Sequence, residues 1–422
     1  MYNAVFIILV IILVLDFALE QYLDYLNGKK WSPDLPDELK DVYDAEQYRK
    51  QQDYKRVNDR FGRLTSSVSF GVIMLMLFFS GFSLVDGWAR AITSHPVLLV
   101  LVFFGILAIA SDLLNTPFSI YDVFVIEEKF GFNRTTPRLY SLDKVKGWLL
   151  GAVIGGGLLA LVVWIYQHTG SLFWIYAWII ATVFTVFMTM FYSSLIVPLF
   201  NKQTPLPEGE LRDEIRAFSD KTGFKLVNIY VIDSSKRSTK SNAYFTGLGP
   251  RKRIVLFDTL IKDLSTREIV AVLAHEIGHY KKKHTLTGLL AGIIQTGITL
   301  FIFSLLVANP DLSAALGGNG PSFHLGLIAF GILYSPISLL AGLLMNVVSR
   351  RNEYAADQYV RDHYDAGALI NALKKLSSKN LSNLTPHPVY VFFHYSHPTL
   401  LQRIKALKNN PHNILLPLFF VQ

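Results

Sequence analysis

The sequence predicts a mainly α-helical integral membrane protein: a seven-helix bundle joined to a cytoplasmic domain that contains a small β-sheet. Three observations carry this. First, 51% of the 422 residues are hydrophobic and only 17% are charged, whereas soluble domains carry about 25% charged residues. Second, seven stretches are long and apolar enough to be membrane spans, at 3–20, 68–84, 96–112, 148–167, 172–196, 285–307 and 324–347. Third, the positive charge is distributed unevenly between alternate loops. This composition excludes intrinsic disorder. The absence of cysteine excludes a disulfide scaffold, a Cys-ligated metal and a thiol nucleophile.

The first stretch, VFIILVIILVL, follows an uncharged MYN. It lacks a basic leader and an A-x-A-like cleavage site, so it reads as an anchor rather than a signal peptide. The third stretch is short and ends near Asp112. Lys and Arg number 9 in residues 21–67, 5 in 113–147, 16 in 197–284 and 9 in 348–422; only Arg90 lies in the intervening loops. Thus 39 of 40 basic residues fall on one side if all seven stretches span. Positive loops mark the cytoplasmic side, which places the N-terminus outside and the C-terminus inside. The net charge of +8 is therefore a topology signal, and no nucleic-acid partner is expected. Residues 31–62 mix both charge signs with aromatics at helical spacing and read as a solvated amphipathic helix. The chain divides into an N-terminal membrane region, 1–196, with five spans and cytoplasmic loops 21–67 and 113–147, and a second unit, 197–422, holding the last two spans.

Within that second unit, 208–222 reads as an amphipathic helix with Leu211, Ile215 and Phe218 on one face and Gly223 near its end. VNIYVID (227–233) and RIVLFD (253–258) read as strands, and SNAYFTGLGP between them as a third, ending at a Gly249-Pro250 turn. A helix follows from about Ser265, where Ser265 and Glu268 stand at capping-box spacing.

That helix carries His275-Glu276-Ile277-Gly278-His279. Positions i and i+4 share a helix face, so His275 and His279 can offer two imidazoles to one metal, with Glu276 placed as a general base. A catalytic zinc needs a third protein ligand and an open position. Residue 285 is Thr rather than a further His, so the ligand is expected from another segment. Glu353 and Asp357 lie at i, i+4: Glu353 reads as the third ligand and Asp357 as the acceptor for a ligating histidine's free nitrogen. One Zn²⁺ per chain is expected.

H-E-x-x-H entering an apolar helix, a second apolar helix leading to E-x-x-A-D, and seven spans resemble the integral-membrane zinc metalloproteases that process CAAX prenyl proteins. EEKFGFNRTTP (127–137), PLFNKQTPLPEGEL (198–211), SNAYFTG (241–247), SRRNEYAAD (349–357) and HYSHPTLLQRI (394–404) are similar to that family too. The resemblance implies a gluzincin-type metalloprotease domain whose catalytic site lies in a chamber enclosed by the membrane helices. It implies that Asn242, Ala243 and Tyr244 form a substrate-binding strand edge, that His397 stabilises the oxyanion, and that Arg403 binds a carboxylate or orients Glu353. His284, His324, His363, His387 and His394 match no ligand position and are expected to be structural.

The short loop after the sixth span, and the tail ILLPLFFVQ without a retrieval signal, imply a shorter prokaryotic-type member in a bacterial inner membrane, or in the ER membrane of a eukaryote. The expected partners are the bilayer and a peptide or protein substrate, lipidated or membrane-embedded. The implied activity is removal of the C-terminal tripeptide from prenylated CAAX proteins. The alternatives are a heat-shock-type quality-control protease, and, outside the proteases, a transporter or a zinc-binding scaffold. Against transport, no span holds Lys or Arg, although ionisable groups mid-membrane mark most transport pathways.

Overall fold

A computed structural model describes residues 3–30, 35, 37–224, 228–247 and 253–409. Among these, seven helices are long and apolar enough to cross a membrane: Ala4–Lys29, Ala45–Phe78, Pro96–Glu127, Pro137–Thr169, Phe173–Phe200, His284–Leu306 and Phe323–His363. No more than 22% of any of their apolar windows is buried inside the protein. Residues such as Leu15, Val153, Val183 and Leu344 point outward, and apolar surface on this scale calls for lipid.

The helices overrun the expected spans. α1 (Ala4–Lys29) is capped by the Asn3 side chain. α2 (Ala45–Phe78) is unbroken, so the helical part of 31–62 is the first half of a span helix rather than a separate solvated one. Its Tyr48 joins Leu39, Val42 and Tyr43 in a buried core; residues 31–34 and 36 lie outside the described residues. The stretch 68–84 is not one span. Ser80 turns left-handed at φ 56, and a Cβ at Gly81 would lie 2.4 Å from Met76 Sδ. The chain therefore leaves as a separate helix, α3 (Gly81–Ile92), which buries Phe82, Val85 and Ala89.

α4 (Pro96–Tyr121) passes Asp112 and continues as a π-helical turn, Asp122–Glu127. Asp112 is neutralised by Lys144 at 3.0 Å, from α5 (Pro137–Leu150). A second π-turn joins α5 to α6 (Gly157–Thr169). Residues 113–147 are thus largely helical overrun rather than loop. α7 (Phe173–Leu195) runs into the short α8 (Val197–Phe200).

The second unit begins with β1 (Gln203–Pro205), a strand the sequence did not announce, and α9 (Glu210–Lys221). β2 (Asn228–Ile232), β3 (Ala243–Thr246) and β4 (Arg253–Phe257) complete a four-stranded sheet in the order β1-β2-β4-β3. β2 and β4 are parallel and the outer pairs antiparallel. The expected Gly249-Pro250 turn lies outside the described residues. α10 (Asp258–Asp263) leads to α11 (Thr266–Lys281), whose capping box forms as expected. Lys375 adds a 2.8 Å bond to the same Glu268 carboxylate.

α12 (His284–Leu306), α13 (Pro310–Ala315) and α14 (Phe323–His363) follow, then α15 (Ala366–Lys379), α16 (Pro388–His394) and α17 (Leu400–Lys408). Two cores form at opposite ends of α14. One gathers Phe6, Phe103, Phe303, Phe323 and Phe330 among the spans. The other packs the sheet, α11, α15 and α17 around Ile254, Leu256, Val270 and Val360. The second core positions the site.

Candidate metal centre

α11 is mostly buried between Glu268 and Gly278, which fixes the direction of its histidines. α14 crosses it at Gly278, where a Cβ would meet Tyr359 Cβ at 3.0 Å and Ala356 Cα at 3.2 Å. The missing side chain allows the close approach that brings Glu353 to the histidines. His275 Nε2 lies 3.3 Å from Glu353 Oε2, and His279 Nε2 lies 3.2 Å from Glu353 Oε1. The two Nε2 atoms are 3.1 Å apart. One donor atom from each of the three residues falls within 4.8 Å of the others.

This donor set fits a metal. Two imidazoles and a carboxylate with an open side suit a catalytic zinc. Glu353 Oε2 is buried without a hydrogen-bond partner, as a ligand atom in want of a cation would be. Burial and the Arg403 charge push the His275 imidazole down, but the Asp357 and Glu353 carboxylates beside it outweigh them and lift it to about 9.

The surrounding groups orient these three. His275 Nδ1 donates to Asp357 Oδ1 at 2.9 Å, which fixes its proton and leaves Nε2 free. Arg403 grips Asp357 in bidentate fashion, Nη2 to Oδ1 at 2.6 Å and Nε to Oδ2 at 2.8 Å, and its Nη1 lies 3.6 Å from Glu353 Oε2. Burial opposes the Arg403 charge, and the Asp357 carboxylate overrides it and raises the group. The Arg403 fork is therefore occupied by a carboxylate of the protein itself. His397 does reach the site, with Nε2 3.2 Å from Glu353 Oε1 and a side chain 63% exposed.

Glu276 and all these groups except Asp357 line a cavity of about 730 Å³. β3 is the outer strand of the sheet on this side. Ala243 and Phe245 line the cavity, as does Asn242. Tyr244 points to the other face by strand alternation, its ring 6.4 Å from that of Phe257. The strand's approach is clamped: Asn380 Oδ1 accepts the Ser241 N–H at 3.2 Å, and its Nδ2 donates to the Ser241 carbonyl at 3.3 Å. Ser241 Oγ donates to Asp263 Oδ2 at 2.8 Å. The cavity extends between α12 and α14 past Thr287, Gly288, Ala291, Met345 and Ser349.

Two groups escaped the sequence reading. Asn380 carries no pattern that marks it. His284, expected to be structural only, lies with Nδ1 3.0 Å from His279 Nδ1. Its signal was its nearness to the motif, but helical periodicity puts residue 284 on a different face. The remaining histidines expected to be structural lie elsewhere: His324 meets Asp86 at 2.8 Å, His363 faces the Tyr359 carbonyl, His387 caps α16, and His394 lies near Glu20.

Two family models cover nearly the whole chain. One, described as the CAAX prenyl protease N-terminal region with five membrane helices, matches residues 24–202, and the other, peptidase family M48, matches residues 205–410. The chain is 35% identical to CAAX prenyl protease 1 of Saccharomyces cerevisiae over 423 residues, covering 93% of each. It is 32% identical to the human CAAX prenyl protease 1 homolog, covering 90% of each. Its fold matches the crystal structure of S. mikatae Ste24p with a TM-score of 0.91 at 35% identity, covering 96% of this chain and 99% of that one. These eukaryotic relatives, matched over nine-tenths of their length, correct the expectation of a shorter prokaryotic-type member in a bacterial inner membrane. The short connection after the sixth span that suggested it is a local feature, folded as α13 into the core among the spans.

Proposed function

The chain belongs to peptidase family M48 and to its CAAX prenyl protease branch, and on that premise we propose that it is a zinc endopeptidase that releases the C-terminal tripeptide of prenylated CAAX proteins at a membrane. The observation that carries this reading is the convergence of His275, His279 and Glu353 beside an outer sheet strand, in a cavity running between two spans. His275, His279 and Glu353 hold the zinc in this reading, one ion per chain. Bound zinc supplies a Lewis acid that polarises the scissile carbonyl and acidifies water. Glu276 accepts the proton of the attacking water and returns it to the departing amine. The 243–246 edge pairs with an extended substrate through main-chain hydrogen bonds, which are blind to side-chain identity. The Asn242 side chain and His397 add polar contacts near the scissile carbonyl, and His397 steadies the developing oxyanion. Asp357 and Arg403 act behind the ligands and hold their orientation.

Because backbone pairing tolerates varied sequences, selection falls to access through the span-lined cavity, by a prenyl group or an apolar segment on the substrate. The membrane in this reading is that of the ER, and the positive charge of the loops argues for the catalytic groups on its cytoplasmic side.

The purified protein is offered a farnesylated CAAX peptide and its unprenylated twin. Cleavage of the farnesylated peptide alone, abolished in Glu276→Gln, is expected. Equal cleavage of both would replace the proposed specificity with general membrane proteolysis, and no cleavage of either would remove the peptidase reading.

A further inference from the structure

His284 lies outside the H-E-x-x-H run, yet its ring stands edge-on to a ring of that run, with centroids 5.1 Å apart and planes at 74° to His279. The two nitrogens that meet are both Nδ1, at 3.0 Å. His279 Nε2 faces Glu353 Oε1 and His275 Nε2, so Nε2 is its metal-facing nitrogen and must keep its lone pair there. A neutral imidazole then carries its hydrogen on Nδ1, and an N–H in a part-buried site needs an acceptor. For His275 that acceptor is Asp357, 2.9 Å from Nδ1. For His279 the facing atom is His284 Nδ1.

The backbone is arranged for this contact. On an unbroken helix a residue five positions on lies about 140° around the axis, which would turn His284 away from His279. α11 stops at Lys281, the Lys282 N–H closes onto the Gly278 carbonyl at 3.0 Å, and Lys283 takes the left-handed conformation at φ 60. α12 then restarts at His284, re-aimed at the metal ligand. A lysine stands at a position that favours glycine, and non-glycine residues keep such a conformation where the surroundings hold it.

We propose that His284 is a positioning residue for His279: its Nδ1 accepts the His279 Nδ1–H and thereby fixes the tautomer and ring plane that aim His279 Nε2 at the metal. It does with a neutral imidazole what Asp357 does for His275 with a carboxylate. The proposal rests on the metal reading given above and is tested separately from it.

Zinc affinity of the full-length protein is measured by competition with a chelator. The parent is expected to hold zinc, and His279→Ala to lose it. His284→Ala is expected to keep a one-to-one site but to bind about 10–100-fold more weakly. His284→Asn, whose carboxamide oxygen overlies the lost Nδ1 and accepts the same bond, is expected to recover most of that loss. A merely space-filling ring would not be rescued in this way. Nitrogen-15 spectra of zinc-loaded parent are expected to show the His279 proton on Nδ1. Undiminished affinity in His284→Ala overturns the proposal and leaves the metal reading intact. Loss as complete as in His279→Ala also overturns it, since it would make His284 a ligand. A parent that takes up no zinc removes the metal reading and this proposal together.

Discussion

Asp357 and Glu353 sit one helical turn apart on α14 and act on the same imidazole from opposite sides: Glu353 faces His275 Nε2 and Asp357 faces Nδ1. In the proposed reading that difference separates a ligand from the group that orients one. Asp357→Asn keeps a polar partner but loses the carboxylate that Arg403 grips. It is expected to lower zinc affinity or turnover about 10–100-fold, less than the loss in Glu353→Ala, as read by zinc content and peptide cleavage. Equal damage in the two variants would mark Asp357 as a ligand. Glu276→Gln is the complementary case: it is expected to retain zinc and lose about 10²–10⁴-fold in turnover, because a proton acceptor is removed and no ligand is. Loss of zinc in that variant would show that Glu276 holds the site together rather than moving a proton. At this scale the sequence put His275 with His279, and Glu353 with Asp357, on shared helix faces, because spacing on a helix translates directly into a shared face. It was silent on Asn380 and did not place His284 beside His279, because a left-handed residue between the two helices breaks the periodicity that spacing arguments assume.

The crossing of α11 and α14 brings one metal-binding helix to the other, and its closeness depends on Gly278 inside the motif. A methyl group there would press on Tyr359 and Ala356. Gly278→Ala is expected to cost about 1–3 kcal/mol by overpacking and to displace Glu353 from the histidines. A lower melting temperature together with weaker zinc binding checks this; an unchanged melting profile and affinity would show that the helices part without consequence. The edge strand depends on a different kind of contact. β3 is held to β4 on one side, and Ser241, two residues before it, is tied to Asn380 at the end of α15. Elements were legible where their pattern was periodic, as in α9, α11, β2 and β4. Their ends were not: hydropathy marks what lipid can cover, whereas hydrogen bonding carries α1 and α4 beyond it. β1 is three residues long and contains a proline, too little for any pattern.

For the molecule as a whole, the charge distribution argues for the N-terminus outside and the catalytic unit in the cytoplasm. Reporter fusions at Gly170 and Gly318 are expected to read out, and fusions at Lys236 and Lys379 to read in. Reversed signals, with Gly318 reading in and Lys379 reading out, would overturn that topology. The spans leave much of their apolar surface bare, so the bundle is complete only in lipid, and the catalytic cavity lies where α12 and α14 leave the second core. The amino-acid sequence alone determined the number of spans, the uneven placement of positive charge and the identity of the two histidines, because each follows from composition or from spacing along one helix. The tertiary structure decided that α11 and α14 cross closely enough to join His275 and His279 to Glu353, that Arg403 is spent on Asp357, and that β3 lies at the edge of the sheet beside them. It also decided the reach of His284. Most of these depend on contacts between residues far apart in the chain, 128 positions for Arg403 and His275 and 139 for Ser241 and Asn380, and such contacts arise from packing that no local periodicity encodes.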